Sequence, residues 1–62
     1  MTVDCARRLI RLYKMAEWNL DEFKKLSEDP KTQSNAVRYL QEAEKLLNQI
    51  SGLTRECARE AV

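Results

Sequence analysis

Residues 27–34 read Ser-Glu-Asp-Pro-Lys-Thr-Gln-Ser and contain no apolar side chain. They also hold Pro30, the one proline of the chain. Proline disrupts a helix interior because it lacks an N–H and its ring clashes with the preceding turn, but it is well tolerated at a helix start. The stretch therefore predicts a turn over residues 27–33, with Asp29 and Ser34 as competing N-caps of the helix that follows.

Apolar side chains recur every three or four residues on both sides of this turn, which is the heptad pattern of helices that pack along a seam. The pattern predicts a first helix over about residues 3–26 and a second over about residues 34–60. The predicted fold is all-α, an antiparallel helical hairpin that forms a single domain over residues 1–62. The predicted seam consists of Leu9, Tyr13, Ala16, Leu20 and Phe23 in the first helix and of Ala36, Leu40, Ala43, Leu47, Ile50, Thr54, Cys57 and Ala61 in the second.

Gly52 leaves one alternative open. Glycine costs about 1 kcal/mol relative to alanine inside a helix and commonly marks a helix end. A break at Gly52 would produce a short third helix and a three-helix bundle. The heptad pattern continues through Gly52 without a slip, so the unbroken hairpin is the preferred prediction.

Cys5 and Cys57 are the two cysteines of the chain. In an antiparallel hairpin with its turn near residue 30 they lie at the same height, and both point toward the seam. We therefore expect a disulfide, which by closing about 50 residues would contribute on the order of 4 kcal/mol. Two buried free thiols are the alternative. A disulfide would favour an oxidising or extracellular setting; the location is otherwise unknown.

Composition argues against several classes of function. A net charge of +1 lacks the cationic excess that nucleic-acid binding uses. No apolar run is long enough for a signal peptide or a membrane span. Histidine is absent, no cysteine lies in a C-x-x-C pair, and the acidic side chains lie beside Lys or Arg at helical spacing. We therefore expect no catalytic residue, no cofactor, no metal site and no membrane partner.

One side of the hairpin is predicted to be free for a partner. Apolar residues flank both predicted seams on the same side, because antiparallel helices reverse the sense of rotation. An exposed apolar strip of this extent marks an association site, and its occupant is either another protein or a second copy that completes a four-helix bundle. The strip consists of Leu12, Met15 and Leu26 from the first helix and of Tyr39, Leu46 and Leu53 from the second.

Trp18 is predicted to be exposed, because it lies almost opposite the seam of the first helix. It belongs to a stripe of residues spaced by three and four, and Trp and Arg dominate binding hot spots. The alternative is that its ring covers neighbouring side chains or packs on a dimer neighbour. The stripe consists of Arg8, Arg11, Met15, Trp18 and Glu22. Arg7, Arg8, Arg11 and Lys14 are expected to pair with Glu56 and Glu60 across the hairpin.

No motif of a natural family is found in the sequence. Its short length, its Asp29-Pro30 helix start, its matched cysteines and its outward Trp18 resemble engineered or de novo designed helical mini-proteins and binders. The resemblance is compositional and covers the whole chain. It implies a rigid helical scaffold that presents an apolar and aromatic face to a protein partner. Protein binding is therefore the predicted function, and a self-assembling homodimer without another partner is the alternative.

Overall fold

The computed structural model describes residues 1–60 and shows two helices packed against each other as a hairpin. Helix α1 spans Val3–Ser27, and helix α2 spans Gln33–Glu60. The predicted all-α hairpin is confirmed, and the predicted helix bounds differ by at most one residue. Ala61, which the sequence placed in the seam of the second helix, lies outside the described residues.

A threonine precedes each helix. Oγ1 of Thr2 accepts a hydrogen bond from the backbone N–H of Cys5 at 3.1 Å, which satisfies one of the free donors at the start of α1. The carbonyl of Thr32 accepts a bond from the N–H of Ala36 at 3.0 Å and opens α2. The hydroxyl of Thr32 donates to the carbonyl of Leu26 at 2.6 Å. Thr32 therefore ties the end of α1 to the start of α2.

The predicted N-caps Asp29 and Ser34 were wrong. Asp29 instead shapes the turn, since its Oδ1 accepts a hydrogen bond from the N–H of Lys31 at 3.0 Å. Helix α2 begins between the two candidates because Thr32 bonds back to the end of α1. That bond depends on the position of the other helix, which local sequence patterns do not report.

Cys5 and Cys57 form a disulfide that closes the open end of the hairpin. Their Cα atoms lie 5.8 Å apart although 52 positions separate them in the sequence. Both residues are buried in the seam. The predicted pairing is confirmed, so covalent links hold the helices together at both ends.

The seam is rotated slightly relative to the predicted one in both helices. Six predicted seam residues are buried as expected, and those on one flank are replaced by the preceding residue; the six are Leu9, Ala16, Ala36, Ala43, Ile50 and Cys57. Tyr13, Leu20 and Leu47, predicted to lie in the seam, are 50%, 39% and 44% exposed. The preceding residues take their place: Asn19 is buried and Leu46 is only 3% exposed. Thr54, the fourth residue wrongly placed in the seam, is exposed as well. The buried residues are Cys5, Leu9, Ala16, Asn19, Ala36, Ala43, Leu46, Ile50 and Cys57, with Leu12 and Leu53 packed against them.

The position of Cys5 explains this rotation in α1. Leu12, Asn19 and Leu26 follow Cys5 at intervals of seven, so the four residues share one side of α1. The disulfide brings that side toward α2. Asn19 is accommodated in the seam because its Nδ2 donates to the carbonyl of Met15 at 2.8 Å, so its burial leaves no unpaired side-chain donor there.

Helix α2 runs through Gly52 without a break, so the three-helix alternative does not occur in the described residues. The backbone of Gly52 does not adopt a positive φ. A Cβ atom at this position would have no other atom within 4 Å, apart from its own chain neighbours and helix backbone. Packing inside the hairpin therefore does not require a glycine here.

Gly52→Ala is expected to raise the free energy of unfolding by about 1 kcal/mol, because glycine loses more backbone entropy than alanine in a helix. Denaturant unfolding followed by circular dichroism measures the change. Ser51→Ala is the matched control on the neighbouring exposed position, and its gain should stay below about 0.7 kcal/mol. A loss of stability in Gly52→Ala would contradict the open space around this residue.

Candidate protein-binding face

An open groove lies between the two helices near the disulfide end of the hairpin. Its volume is about 500 Å³. Leu12 and Leu53 are half-buried and pack against the core, so they form its apolar base. The groove is lined by Arg8, Arg11 and Leu12 from α1 and by Gln49, Gly52, Leu53 and Glu56 from α2.

Gly52 contributes to the groove by lacking a side chain. It is the one glycine of the chain, and it lies inside a helix where glycine is unfavourable. Since no neighbour within the hairpin occupies that space, the missing side chain changes only the outer surface of α2. A ligand at this point can approach the backbone of α2 more closely than at any residue with a side chain.

The arginines that line the groove have no acidic partner in the part of the hairpin that the structure describes. Among residues 1–60, the one ion pair within 4.0 Å joins Nζ of Lys25 to Oε1 of Glu22 at 3.6 Å. The predicted pairing of Arg8 and Arg11 with Glu56 was therefore wrong. The predicted pairing was also wrong for Arg7 and Lys14, the other two basic residues of the cluster. Glu60, the second expected acidic partner, forms no ion pair with any of the four. The two guanidinium groups are left able to bind a carboxylate in bidentate geometry.

Trp18 and Tyr39 form an aromatic pair across the helices. Their ring centroids lie 5.8 Å apart with an interplanar angle of 66°, which is an edge-to-face contact. Trp18 is 56% exposed, so its predicted exposure is confirmed. Its contact with Tyr39 was not predicted, because helical geometry placed Trp18 on the outer side of α1, almost opposite the seam. The indole reaches back toward α2 instead.

Met15 connects the aromatic pair to the groove. It is 48% exposed and lies on α1 between Arg11 and Trp18, at the spacing of four and three that keeps residues on one side of a helix. We call this combined surface the groove face. It consists of Arg8, Arg11, Leu12, Met15, Trp18, Tyr39, Gln49, Gly52, Leu53 and Glu56.

Three of the residues predicted to bind a partner contribute little to this face. Leu46 is only 3% exposed, so its assignment to an exposed strip was wrong: the rotation of α2 places it in the core. Leu26 is half-buried beside the turn. Glu22 is half-buried and engaged with Lys25.

Sequence reasoning missed a second surface on the opposite side of the hairpin. Rotation of the seam turns Tyr13, Leu20 and Leu47 outward, next to the half-buried Leu40. The signal was present as intervals of seven residues, from Tyr13 to Leu20 and from Leu40 to Leu47, but these four residues were predicted to lie in the seam. We call this surface the apolar face. It consists of Ala6, Tyr13 and Leu20 from α1 and of Leu40, Leu47 and Ala58 from α2.

Neither helix, over the part of the chain that the structure describes, is long and apolar enough to cross a membrane. Within the same residues, no group of three or more His, Cys, Asp or Glu side chains is placed to hold a metal ion. No protein-family model, curated protein or solved structure matches this chain.

Proposed function

We propose that the chain is a protein-binding module that holds its partner on the groove face. The observation that carries this proposal is the groove, where Arg8 and Arg11 lie unpaired beside the apolar side chains of Leu12 and Leu53. An apolar surface with a few convergent polar groups is typical of binding sites. Exposed Trp and Arg side chains are the residue types that contribute most to protein interfaces.

The hairpin supports binding through its rigidity. The turn joins one end of the helices and the Cys5–Cys57 disulfide joins the other. Side chains on such a scaffold keep their backbone positions when a partner binds, so little backbone entropy is lost. The resemblance to designed helical binders implies the same mode of action.

The groove face favours a partner that presents an apolar side chain flanked by carboxylates. Leu12 and Leu53 accept the apolar side chain, while Arg8 and Arg11 pair with the carboxylates. An acidic amphipathic helix laid along the hairpin offers both features, and its next apolar residues would reach Met15 and Trp18.

The disulfide supports an oxidising compartment as the setting of this function. A disulfide persists in secreted or extracellular proteins, whereas cytosolic thiols are kept reduced. The hairpin would lose one of its two covalent links in a reducing compartment.

Trp18→Ala and Tyr13→Ala form a matched pair that tests the binding proposal. The two aromatic side chains are 56% and 50% exposed and lie on opposite faces. Acidic amphipathic helical peptides that bind the immobilised hairpin are selected from a displayed library, and their affinity is measured by surface plasmon resonance. Trp18→Ala should weaken binding by at least about tenfold, which is a loss of 1.4 kcal/mol or more. Tyr13→Ala should leave it unchanged.

Both variants are expected to fold, because each replaced side chain is at least half exposed. Circular dichroism checks that they do. The proposal fails if no acidic helix binds the hairpin. It also fails if Tyr13→Ala weakens binding as strongly as Trp18→Ala. A second substitution, Arg11→Glu, should abolish the preference for acidic over basic peptides, because it reverses a charge at the groove.

A further inference from the structure

The apolar face carries a third apolar position in the heptad repeat. Ala6, Tyr13 and Leu20 follow one another at intervals of seven in α1, and Leu40 and Leu47 do so in α2. A two-helix seam needs only two apolar positions per heptad, whereas helices in a bundle carry a third that faces another neighbour. Each helix of the hairpin has one neighbour among the described residues. The third position is therefore without a packing partner.

The apolar face lies on a broad side of the hairpin that is large enough for a stable protein interface. The Cα atoms span 50 × 15 × 10 Å, so the whole of this side has a projected area of roughly 750 Å². Each partner in a standard interface contributes about 800 Å². A second hairpin laid along this side covers an area of this size.

The two ends of the hairpin carry opposite charge. The half next to the disulfide, residues 1–16 and 49–60, contains six basic and three acidic side chains, a net charge of +3. The half next to the turn, residues 17–48, contains five basic and seven acidic side chains, a net charge of −2. The two values add to the +1 of the whole chain. Two copies attract each other most when one is reversed end to end.

We propose that a second copy of the chain covers the apolar face in reversed orientation, so that two hairpins form a four-helix bundle. A twofold axis packs the apolar face of one copy against the apolar face of the other. The reversed orientation places the positive end of each copy beside the negative end of the other, whereas the parallel orientation would place like charges together. The groove face remains outside, one on each side of the bundle. The dimer is thus a bivalent form of the binding module.

Sedimentation equilibrium from low micromolar to near-millimolar concentration tests the dimer. The oxidised chain is expected to double its mass as its concentration rises. Leu47→Glu should weaken self-association by more than about tenfold, because twofold symmetry places two charges in an apolar contact. Met15→Glu is the matched control: Met15 is 48% exposed against 44% for Leu47, but it lies on the groove face. It should leave the dimer unchanged.

Leu20→Glu provides a second test should Leu47→Glu fold poorly by circular dichroism. Added sodium chloride should weaken the dimer, since it screens attraction between opposite ends. A monomer at every concentration, or a dimer lost with Met15→Glu and kept with Leu47→Glu, overturns the proposal. A dimer that salt strengthens overturns the reversed orientation. Peptide binding measured on the monomeric Leu47→Glu variant tests the groove face separately.

Discussion

Reduction of the Cys5–Cys57 disulfide is expected to lower the free energy of unfolding by about 4 kcal/mol. The two cysteines are 52 positions apart, so the bond removes a large loop-closure entropy from the unfolded chain. A hydrophobic core in a domain of this size rarely supplies more than about 3 to 5 kcal/mol. The loss is therefore comparable to the whole contribution of the core. We expect the reduced chain to be largely unfolded under conditions in which the oxidised chain is folded.

Guanidinium unfolding curves with and without reductant, followed by circular dichroism, measure this difference. A double variant, Cys5→Ala with Cys57→Ala, is the control: its curve should not respond to reductant and should resemble that of the reduced chain. A shift below about 1 kcal/mol would contradict the prediction. Such a result would mean that the reduced, unfolded chain retains much of the hairpin topology.

Leu46→Ala is expected to cost about 2 to 5 kcal/mol, whereas Leu47→Ala should cost less than about 1 kcal/mol. The two leucines are neighbours in α2 and undergo the same chemical change. Leu46 is 3% exposed and packs in the core, so its truncation leaves a cavity between the helices. Leu47 is 44% exposed, and truncation there removes little buried surface.

Both leucine variants are compared at low micromolar concentration, where the proposed dimer is not formed and does not contribute to their free energies of unfolding. Denaturant unfolding of the disulfide-bonded chains reports the two free energies. A Leu46→Ala chain that is unfolded even without denaturant also agrees with the prediction, because its loss of stability then exceeds the stability of the hairpin. The opposite ranking would place Leu47 in the seam and reverse the two faces of the hairpin.

The sequence was sufficient to predict the two helices, the turn and the disulfide. Pro30 and its polar neighbours interrupt an otherwise continuous apolar repeat, which locates the turn without tertiary information. A turn at that point places Cys5 opposite Cys57, because both helices rise by the same distance per residue. These features depend on local chemistry and on simple helix geometry.

Parts of the candidate site could also be predicted. Arg8, Arg11, Met15 and Trp18 share one side of α1 through their spacing alone, and the structure places them on the groove face. The contact of Trp18 with Tyr39 and the loss of the expected ion pairs depend on side-chain conformations. Those conformations are set by both helices together, so a helical-wheel projection of one helix does not predict them.

The amino-acid sequence by itself determined a helical hairpin with a turn at Pro30 and a covalent link at its open end, because local propensity and chain length suffice for these features. Only the tertiary structure decided which of the adjacent leucines Leu46 and Leu47 is buried. Leu46 and Leu47 both satisfy the heptad repeat, and a seam admits one of them. Cys5 lies on the same side of α1 as Leu12, so the disulfide turns that side toward α2 and leaves Tyr13 exposed. Packing against α1 buries Leu46 and leaves Leu47 exposed on the apolar face.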